Sequence, residues 1–406
     1  MIMAGGKGER LMPLTEQRSK PSVPFAGNYR IADFVLSNFI NSGIQAMYVL
    51  VQYRSQSLIE HLRRAWRFSG PNRQAFITVV PPQMKGRGKW YEGTADAVYQ
   101  NINLIRDFAP GLVAVFGADH IYRMDLRQMI QFHLDQQAEV TVAALPVPIH
   151  AAKGFGIIEA SSDHQIIGFE EKPAQPKPMP GNSEMSYSSM GNYIFNAETL
   201  VRILEKDASH AGTHDFGRDI IPSLIRSHRV LAYDFMENAV PGIHPYEEWG
   251  YWRDVGTMGA YWQANMDVLG ENPIFDLRNV KWPITTDALT DPVASMVRSQ
   301  MNDAMVGQGS LVIDSTITRS IIGRNVRIGE GSTIEESIIL DGTVIGPKCH
   351  LQRCIVDRFN VIESGTNLGG EKSRAGKRTS GKLGLTILPR GQSYGGRAIS
   401  SSSSLT

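Results

Sequence analysis

The sequence predicts an α/β domain on a doubly wound, mostly parallel sheet, followed by a C-terminal parallel β-helix. Three observations carry that expectation: alternating helix-period and strand-like segments from residue 31 to about 145, a 17-residue apolar repeat beyond 310, and a glycine-rich turn at the very start. At about 150 residues per domain, 406 residues suffice for two or three domains with sizeable cores.

In the first half, Ile31, Phe34, Val35, Phe39 and Ile40 recur at near-helical spacing up to Gly43, and Met47–Val51 is a short apolar run suited to a buried strand. Ser57 and Glu60 offer a capping box ahead of Leu58, Leu62 and Trp66, and Phe76–Val80 reads as a strand closed by Pro81 and Pro82. A helix from Gly93 and Thr94 through Ile105, a strand Leu112–Phe116, a helix Leu126–Leu134 and a strand Val140–Leu145 continue the cycle. Sheets of this kind bind ligands beyond the carboxyl ends of their strands.

In the second half, apolar residues fall at Leu311, Ile317, Ile322, Ile328, Ile334, Ile339, Ile345, Leu351, Val356, Ile362 and Leu368, in steps of six, six and five. Stacked at period 17, Ile322 lies over Ile339 over Val356, Ile328 over Ile345 over Ile362, and Ile334 over Leu351 over Leu368. Antiparallel strands would not keep three registers through successive coils, whereas hexapeptide-like β-helix repeats require them. The expected organisation is therefore a first domain over 1–270, an irregular linker over 271–308 containing Pro273, Pro283 and Pro292, the β-helix over 309–368, and a basic Gly/Ser-rich tail over 369–406. The tail holds Lys372, Arg374, Lys377, Arg378, Lys382, Arg390 and Arg397 against Glu371, and is expected to be a solvated end without function.

Composition narrows the function classes. Apolar residues at 42% and charged residues at 20% exclude a disordered chain, and there is no apolar block of membrane-spanning length. A net charge of +1 provides no global field for nucleic acid or a lipid surface, so any anion must be held by a local cluster. Cys349 and Cys354 form neither a metal-ligand pattern nor a disulfide framework, which points to a reducing, cytoplasmic compartment. The opening residues show no charged region followed by an apolar core, so no secretory signal is expected.

The local cluster lies in residues 1–30, where Lys7, Arg10, Arg18, Lys20 and Arg30 face only Glu9 and Glu16. The run Ala4-Gly5-Gly6-Lys7-Gly8-Glu9-Arg10-Leu11 is followed by Arg18-Ser19-Lys20-Pro21. Gly5, Gly6 and Gly8 let backbone N–H groups approach phosphate oxygens, and Arg10 and Lys20 can neutralise their charge. Leu11 stands where a dinucleotide fingerprint wants glycine, and no Gly-Lys-Ser/Thr of a P-loop is present.

With these motifs the chain resembles the sugar-nucleotide pyrophosphorylases, which open with Gly-Gly-x-Gly-x-Arg-Leu followed by Lys-Pro. Trp90–Ala97, Asp119–Tyr122, Phe169–Pro173, Ser189–Gly191, His214–Gly217 and Tyr251–Thr257 narrow the resemblance to the bacterial ADP-glucose-forming nucleotidyltransferases, over roughly residues 1–368. That resemblance implies a Rossmann-like nucleotidyltransferase domain and a left-handed β-helix, Mg²⁺ as cofactor, and a homotetramer. It also implies synthesis of ADP-glucose and pyrophosphate from ATP and glucose 1-phosphate, the committed step of bacterial glycogen synthesis.

Site residues follow in the same way. Asp119 stands three residues beyond the strand Leu112–Phe116, at the expected carboxyl edge, where a carboxylate suits magnesium, and Asp254 is the second candidate ligand. Read singly, Asp119 could be a helix cap, Asp254 a partner of Arg253, and Lys172 a surface lysine paired with Glu170 and Glu171. The resemblance makes Lys172 the holder of the sugar phosphate and Glu171 the acceptor for sugar hydroxyls. It adds Gly156, Ser189, Tyr193, Asp215 and Trp252 to the sugar pocket and puts Gln52 and Tyr91 near the base, where an aromatic plane and an amide could contact and discriminate it. Arg10, Lys20, Asp119 and Lys172 are the expected catalytic set. An attacking phosphate oxygen needs no protein nucleophile.

Relatives are commonly activated by a phosphorylated metabolite bound between the two domains. Enteric members hold fructose 1,6-bisphosphate partly with a lysine where this chain has Gln17, which leaves Arg18, Arg30 and Arg353 as candidates for an anionic effector. Three competing readings remain at this level: a pyrophosphorylase of the same fold using UTP, dTTP or GTP, an acyltransferase role for the β-helix, and a non-catalytic regulatory subunit. The helix holds only His350 as a histidine, against the second, and the retained Arg10, Lys20, Asp119, Lys172 and Asp254 stand against the third.

Overall fold

A computed structural model describes residues 1–66, 75–83, 90–287, 291–369, 377–378 and 383–394. The buried run Ile2–Ala4 forms a short central strand, parallel to Ala46–Val51 on one side and to Leu112–Gly117 on the other. Phe76–Val80 extends the sheet in parallel from Ala46–Val51. Beyond Leu112–Gly117 the direction reverses: Met185–Asn196 runs antiparallel to it, to Val140–Pro148 and to Gly156–Ala160, while Val230–Asp234 rejoins parallel to Val140–Pro148. The sheet is thus mixed, parallel around the glycine turn and antiparallel on the far side, a departure from the mostly parallel expectation. The long strand Met185–Asn196 causes it, because it serves three neighbours and shifts register between Ser189 and Tyr193. No helix among the described residues is long and apolar enough to cross a membrane.

The helices Ile31–Asn41, Gln56–Ala65 and Leu126–Asp135 cover the sheet with buried apolar faces. Two local expectations fail. Ser57 and Glu60 form no capping box: Ser57 Oγ meets Ser22 Oγ at 2.8 Å, and Glu60 accepts from Gln56 at 2.9 Å. The helix expected through Ile105 breaks into Thr94–Tyr99 and Ile102–Phe108. At the break the Asn101 amide donates to the Ala97 carbonyl and to Tyr91 Oη, so a side chain competes with helical bonding.

The 17-residue ladder stacks as expected, with Ile322 on Ile339 on Val356, Ile328 on Ile345 on Ile362, and Ile334 on Leu351 on Leu368. These inward side chains form one buried core. Leu311 is out of phase: it pairs with Arg327 on the outer row, and Val312 fills the inward position below Ile328. The coil also begins earlier and ends later than expected. Ser295–Val297, Gln300–Asn302 and Met305–Val306, inside the expected linker 271–308, already stack in parallel on Leu311–Ile313, Thr316–Thr318 and Ile321–Ile322. Within the expected tail 369–406, Thr386–Leu388 pairs with Cys354–Val356 and Ser393–Tyr394 with Val361–Ile362. The apolar Leu385, Ile387 and Leu388 are buried there, which a solvated end would not allow. Lys372, Arg374, Lys382 and Arg397 lie outside the described residues.

One face of the coil packs on the sheet domain. Ile321, Ile338, Ile355 and Ile387 join Leu11, Leu14, Phe25, Phe34, Tyr261 and Trp262 in a single apolar cluster, and Trp262 Nε1 donates to the Glu336 carbonyl at 2.7 Å. The strap preceding the coil runs over Ile31–Asn41, with Trp282, Pro283 and Thr285 bonded to Asn38, Asn41 and Ser37.

Candidate active site

A cavity of about 840 Å³ opens over the carboxyl ends of the central strands. The glycine turn forms one wall. Gly8 adopts φ +64°, a left-handed conformation that favours glycine, and a Cβ there would lie 3.0 Å from Thr15 Cγ2 and 3.1 Å from Lys20 Cβ. Gly5 packs against Gln52, whereas Gly6 and Arg10 face the cavity openly.

Two three-residue strands bring the acidic groups together. His120–Tyr122 pairs antiparallel with Trp252–Asp254, in the register Asp254 opposite His120. Asp119, Asp254 and Lys20 therefore meet: Lys20 Nζ donates to Asp119 Oδ2 at 3.0 Å and to Asp254 Oδ1 at 2.7 Å. Burial alone would lower the Lys20 ammonium, but the two carboxylates outweigh it and hold it above the usual lysine value. For Asp119 burial acts to raise the pKa, and Lys20 and His120 reverse that, holding the carboxyl well below the usual range. Arg10 reaches to 3.8 Å from Asp254.

These residues suit a divalent cation. Ligand atoms of Asp119, His120 and Asp254 lie within 4.8 Å of one another, and carboxylate oxygens are what magnesium prefers. The carboxylates can fold inward because Gly117 and Gly256 lack side chains: a Cβ would stand 3.0 Å from Asp119 Oδ1 and 2.9 Å from both Asp254 oxygens.

At the opposite end, Glu171 and Lys172 pair at the cavity rim, so the ordinary lysine–glutamate pairing and a place at the cavity coexist. Gly156 leaves room for Glu171, since a Cβ there would be 2.8 Å from its Oε2 and from the Phe169 ring. Ser189, Tyr193, Asp215 and Trp252 also line this end. Burial pushes the Tyr193 phenol up, keeping it a neutral hydrogen-bonding group. Asp215 is less free than a sugar ligand should be: its carboxylate accepts from Thr94 Oγ1, Gly217 N and Arg218 N, tying the loop at 213–218 to the helix Thr94–Tyr99.

Gln52 and Tyr91 adjoin, and the Gln52 amide grips the Tyr91 main chain, accepting from its N–H at 2.8 Å and donating to its carbonyl at 3.3 Å. Asn101 fixes the Tyr91 hydroxyl at 2.9 Å. Gln52 thus holds the main chain that carries the aromatic ring, and its amide keeps one N–H and one oxygen lone pair beyond these two bonds.

Two residues without a role in the sequence reading emerge. The His120 ring packs on Trp252 with centroids 4.8 Å apart, burial pulls its imidazole pKa down against Asp119, and neither His120 Nδ1 nor Trp252 Nε1 has a hydrogen-bond partner. Thr94 fixes Asp215 and also accepts from Phe216 N. His120 follows Asp119 directly and Thr94 opens a helix within Trp90–Ala97, but neither position by itself announces the bond from Thr94 to Asp215, 121 residues away.

The effector candidates separate. Arg18 is sealed in the seam between the domains against Asp357, Arg30 donates to the Ser22 carbonyl beside it, and Arg353 instead pairs with Glu336 at 2.6 Å on the coil. Arg358, Arg324 and Asp341 share the charged neighbourhood of Arg18 and Arg30. Gln17 accepts from Arg390 at 3.2 Å.

Comparison with known proteins agrees with this architecture. Residues 1–271 match the nucleotidyl transferase family, and residues 292–385 match the GlmU-like C-terminal hexapeptide family. A glucose-1-phosphate adenylyltransferase of Thermodesulfovibrio yellowstonii is 49% identical over 97% of this chain and 96% of its own. Those of an Anaeromyxobacter species and Photobacterium profundum are 45% and 43% identical, over 96% and 97% of this chain and 97% and 98% of theirs. With a nucleotide-transferring domain, a hexapeptide coil and relatives matched nearly end to end, the chain belongs to the glucose-1-phosphate adenylyltransferase family of nucleotidyl transferases.

Proposed function

We propose that the protein transfers an adenylyl group from ATP to glucose 1-phosphate, giving ADP-glucose and pyrophosphate for α-glucan (glycogen) synthesis. The observation that carries this is the convergence of Asp119, Asp254 and Lys20 on one cavity with the glycine turn. A phosphate oxygen of the sugar attacks the α-phosphorus in line, and the chain supplies position and charge. Lys172 holds the attacking phosphate, with Glu171 accepting from sugar hydroxyls; the N–H groups of Gly5, Gly6 and Gly8 cradle the triphosphate; Arg10 and Lys20 stabilise the departing pyrophosphate. Tyr91 offers its ring to the base, and Asp119 and Asp254 would hold Mg²⁺, which when bound neutralises charge at the α-phosphate. Ser189, Tyr193 and Trp252 bound the sugar pocket.

The direct test is pyrophosphate release from glucose 1-phosphate and Mg²⁺ with each nucleoside triphosphate in turn. Release with ATP at least about tenfold faster than with UTP, dTTP or GTP is expected, since the pocket must discriminate bases by differential binding. Faster release with another triphosphate would reassign the donor, and none with any would leave a regulatory subunit.

The same reading extends to regulation by a phosphorylated metabolite in the seam. Arg18 Nε and Nη1, Arg30 Nε and Arg358 Nε are buried without hydrogen-bond partners, and burial pulls the Arg30 and Arg358 guanidinium groups down, so an anion would satisfy them. A panel of sugar phosphates and AMP that leaves the rate unchanged removes this part. The family resemblance supports a homotetramer, and the two buried free thiols, Cys349 and Cys354, fit the cytoplasm.

A further inference from the structure

Lys20 occupies the position between the two carboxylates that a shared divalent cation would need. Its ammonium takes Asp119 Oδ2 and Asp254 Oδ1, the two oxygens that face each other, and the side chain is 8% exposed. The remaining oxygens point elsewhere: Asp119 Oδ1 toward His120 Nε2 at 3.5 Å and Asp254 Oδ2 toward Arg10 at 3.8 Å. Two carboxylates this close repel without a counter-ion, and here one ammonium opposes two negative charges.

The lysine can leave without its backbone moving. Its main chain is fixed in the turn Lys20–Ser22, where Val23 N donates to the Lys20 carbonyl at 3.0 Å and Ser22 is tied to Ser57. The four-carbon stem above it is flexible, and it lies against Gly8, so the phosphate cradle is within its reach.

We propose that Lys20 is an exchangeable counter-ion: it closes the Asp119–Asp254 pair in the free protein and passes to the phosphates of the incoming triphosphate. Cation and nucleotide then enter together, and the free protein takes up little divalent cation alone. The inference rests on reading Asp119 and Asp254 as the cation ligands.

The test is Mn²⁺ uptake by the full-length, nucleotide-free protein, read from the electron paramagnetic resonance of free Mn²⁺. Lys20→Gln should bind Mn²⁺ at least about tenfold more tightly than the wild type, whereas Arg10→Gln, which removes a nearby charge without vacating the position, should gain less than about threefold. Equal gains in the two variants would mean charge alone acts, and overturn the exchange. Adding Asp254→Asn to Lys20→Gln should abolish the gain; tight uptake that survives it removes the ligand reading itself. Wild-type uptake as tight as that of Lys20→Gln, yet lost in Asp254→Asn, sinks only the exchange. A structure of the wild type with α,β-methylene ATP and Mg²⁺ gives an independent check: Lys20 Nζ should be on phosphate, and a Lys20 still bridging both aspartates overturns the proposal.

Discussion

Arg18 and Asp357, 339 positions apart, meet in the seam between the sheet domain and the coil, where one guanidinium nitrogen donates to both carboxylate oxygens. Both side chains are 1% exposed. Asp357→Asn would leave the guanidinium buried beside Arg30 and Arg358 with its main counter-charge gone, at a cost of about 3–5 kcal/mol. Denaturant unfolding should show that loss, and an unchanged midpoint and slope would mean the pair holds nothing together.

Asp119→Asn should leave the fold intact, because Lys20 keeps its shorter bond to Asp254. Turnover should fall on the order of 10²–10³-fold, the usual scale for removing one preorganised charge contact. Near-normal turnover in a folded variant would take Asp119 out of the reaction.

Gly156→Ala places a methyl group 2.8 Å from Glu171 Oε2. Glu171 must swing aside, so the KM for glucose 1-phosphate should rise about tenfold or more while that for ATP changes little. Parallel changes in both would mean that Glu171 does not serve the sugar end.

His214 Nδ1 donates to the Asp207 carboxylate at 2.7 Å, and that hydrogen bond, against burial, raises its pKa above the ordinary histidine value. The stability this pair contributes is fully present below about pH 6.5 and is lost as pH rises through the folded value. Asp207→Asn should therefore lower the unfolding temperature more at about pH 5.5 than at about pH 8.5. Equal losses at both would show that His214 stays neutral throughout.

Ile339→Ala, in the inward row of the coil, should cost about 2–5 kcal/mol by opening a cavity. Val344→Ala, on the outer row and 39% exposed, should change stability by no more than about 0.5 kcal/mol. Similar costs would mean the two rows are not distinguished by burial.

How much of this could be read from the residues follows from where each feature is encoded. The coil was legible because its contacts repeat at one spacing, so Ile322, Ile339 and Val356 announce one another. The doubled pairs Ile321-Ile322, Ile338-Ile339 and Ile355-Val356 encode a second contact as well: one member faces inward and the other packs on the sheet domain, so both are buried. Early strand boundaries were legible from short apolar runs. The reversal at Met185–Asn196 was not, because strand direction depends on pairing across the chain. Asp119 was placed by its distance from a strand, but its meeting with Asp254 depends on the ribbon of His120–Tyr122 and Trp252–Asp254, too short to show any periodicity. The burial of Arg18 was likewise hidden, because Asp357 lies almost the whole chain away.

The 17-residue register also restricts how the coil could change length. Removing a whole 17-residue rung returns every inward aliphatic to a neighbour of its own kind. The opening coils, offset by 16 where Ser295 pairs with Leu311 and Leu311 with Arg327, drop one residue at a corner and still keep Val312 beneath Ile328, so single-residue differences are absorbed at corners and not within a side. A deletion of 17 residues should therefore preserve a cooperative unfolding transition, and a broadened transition would mean that the rungs are not interchangeable.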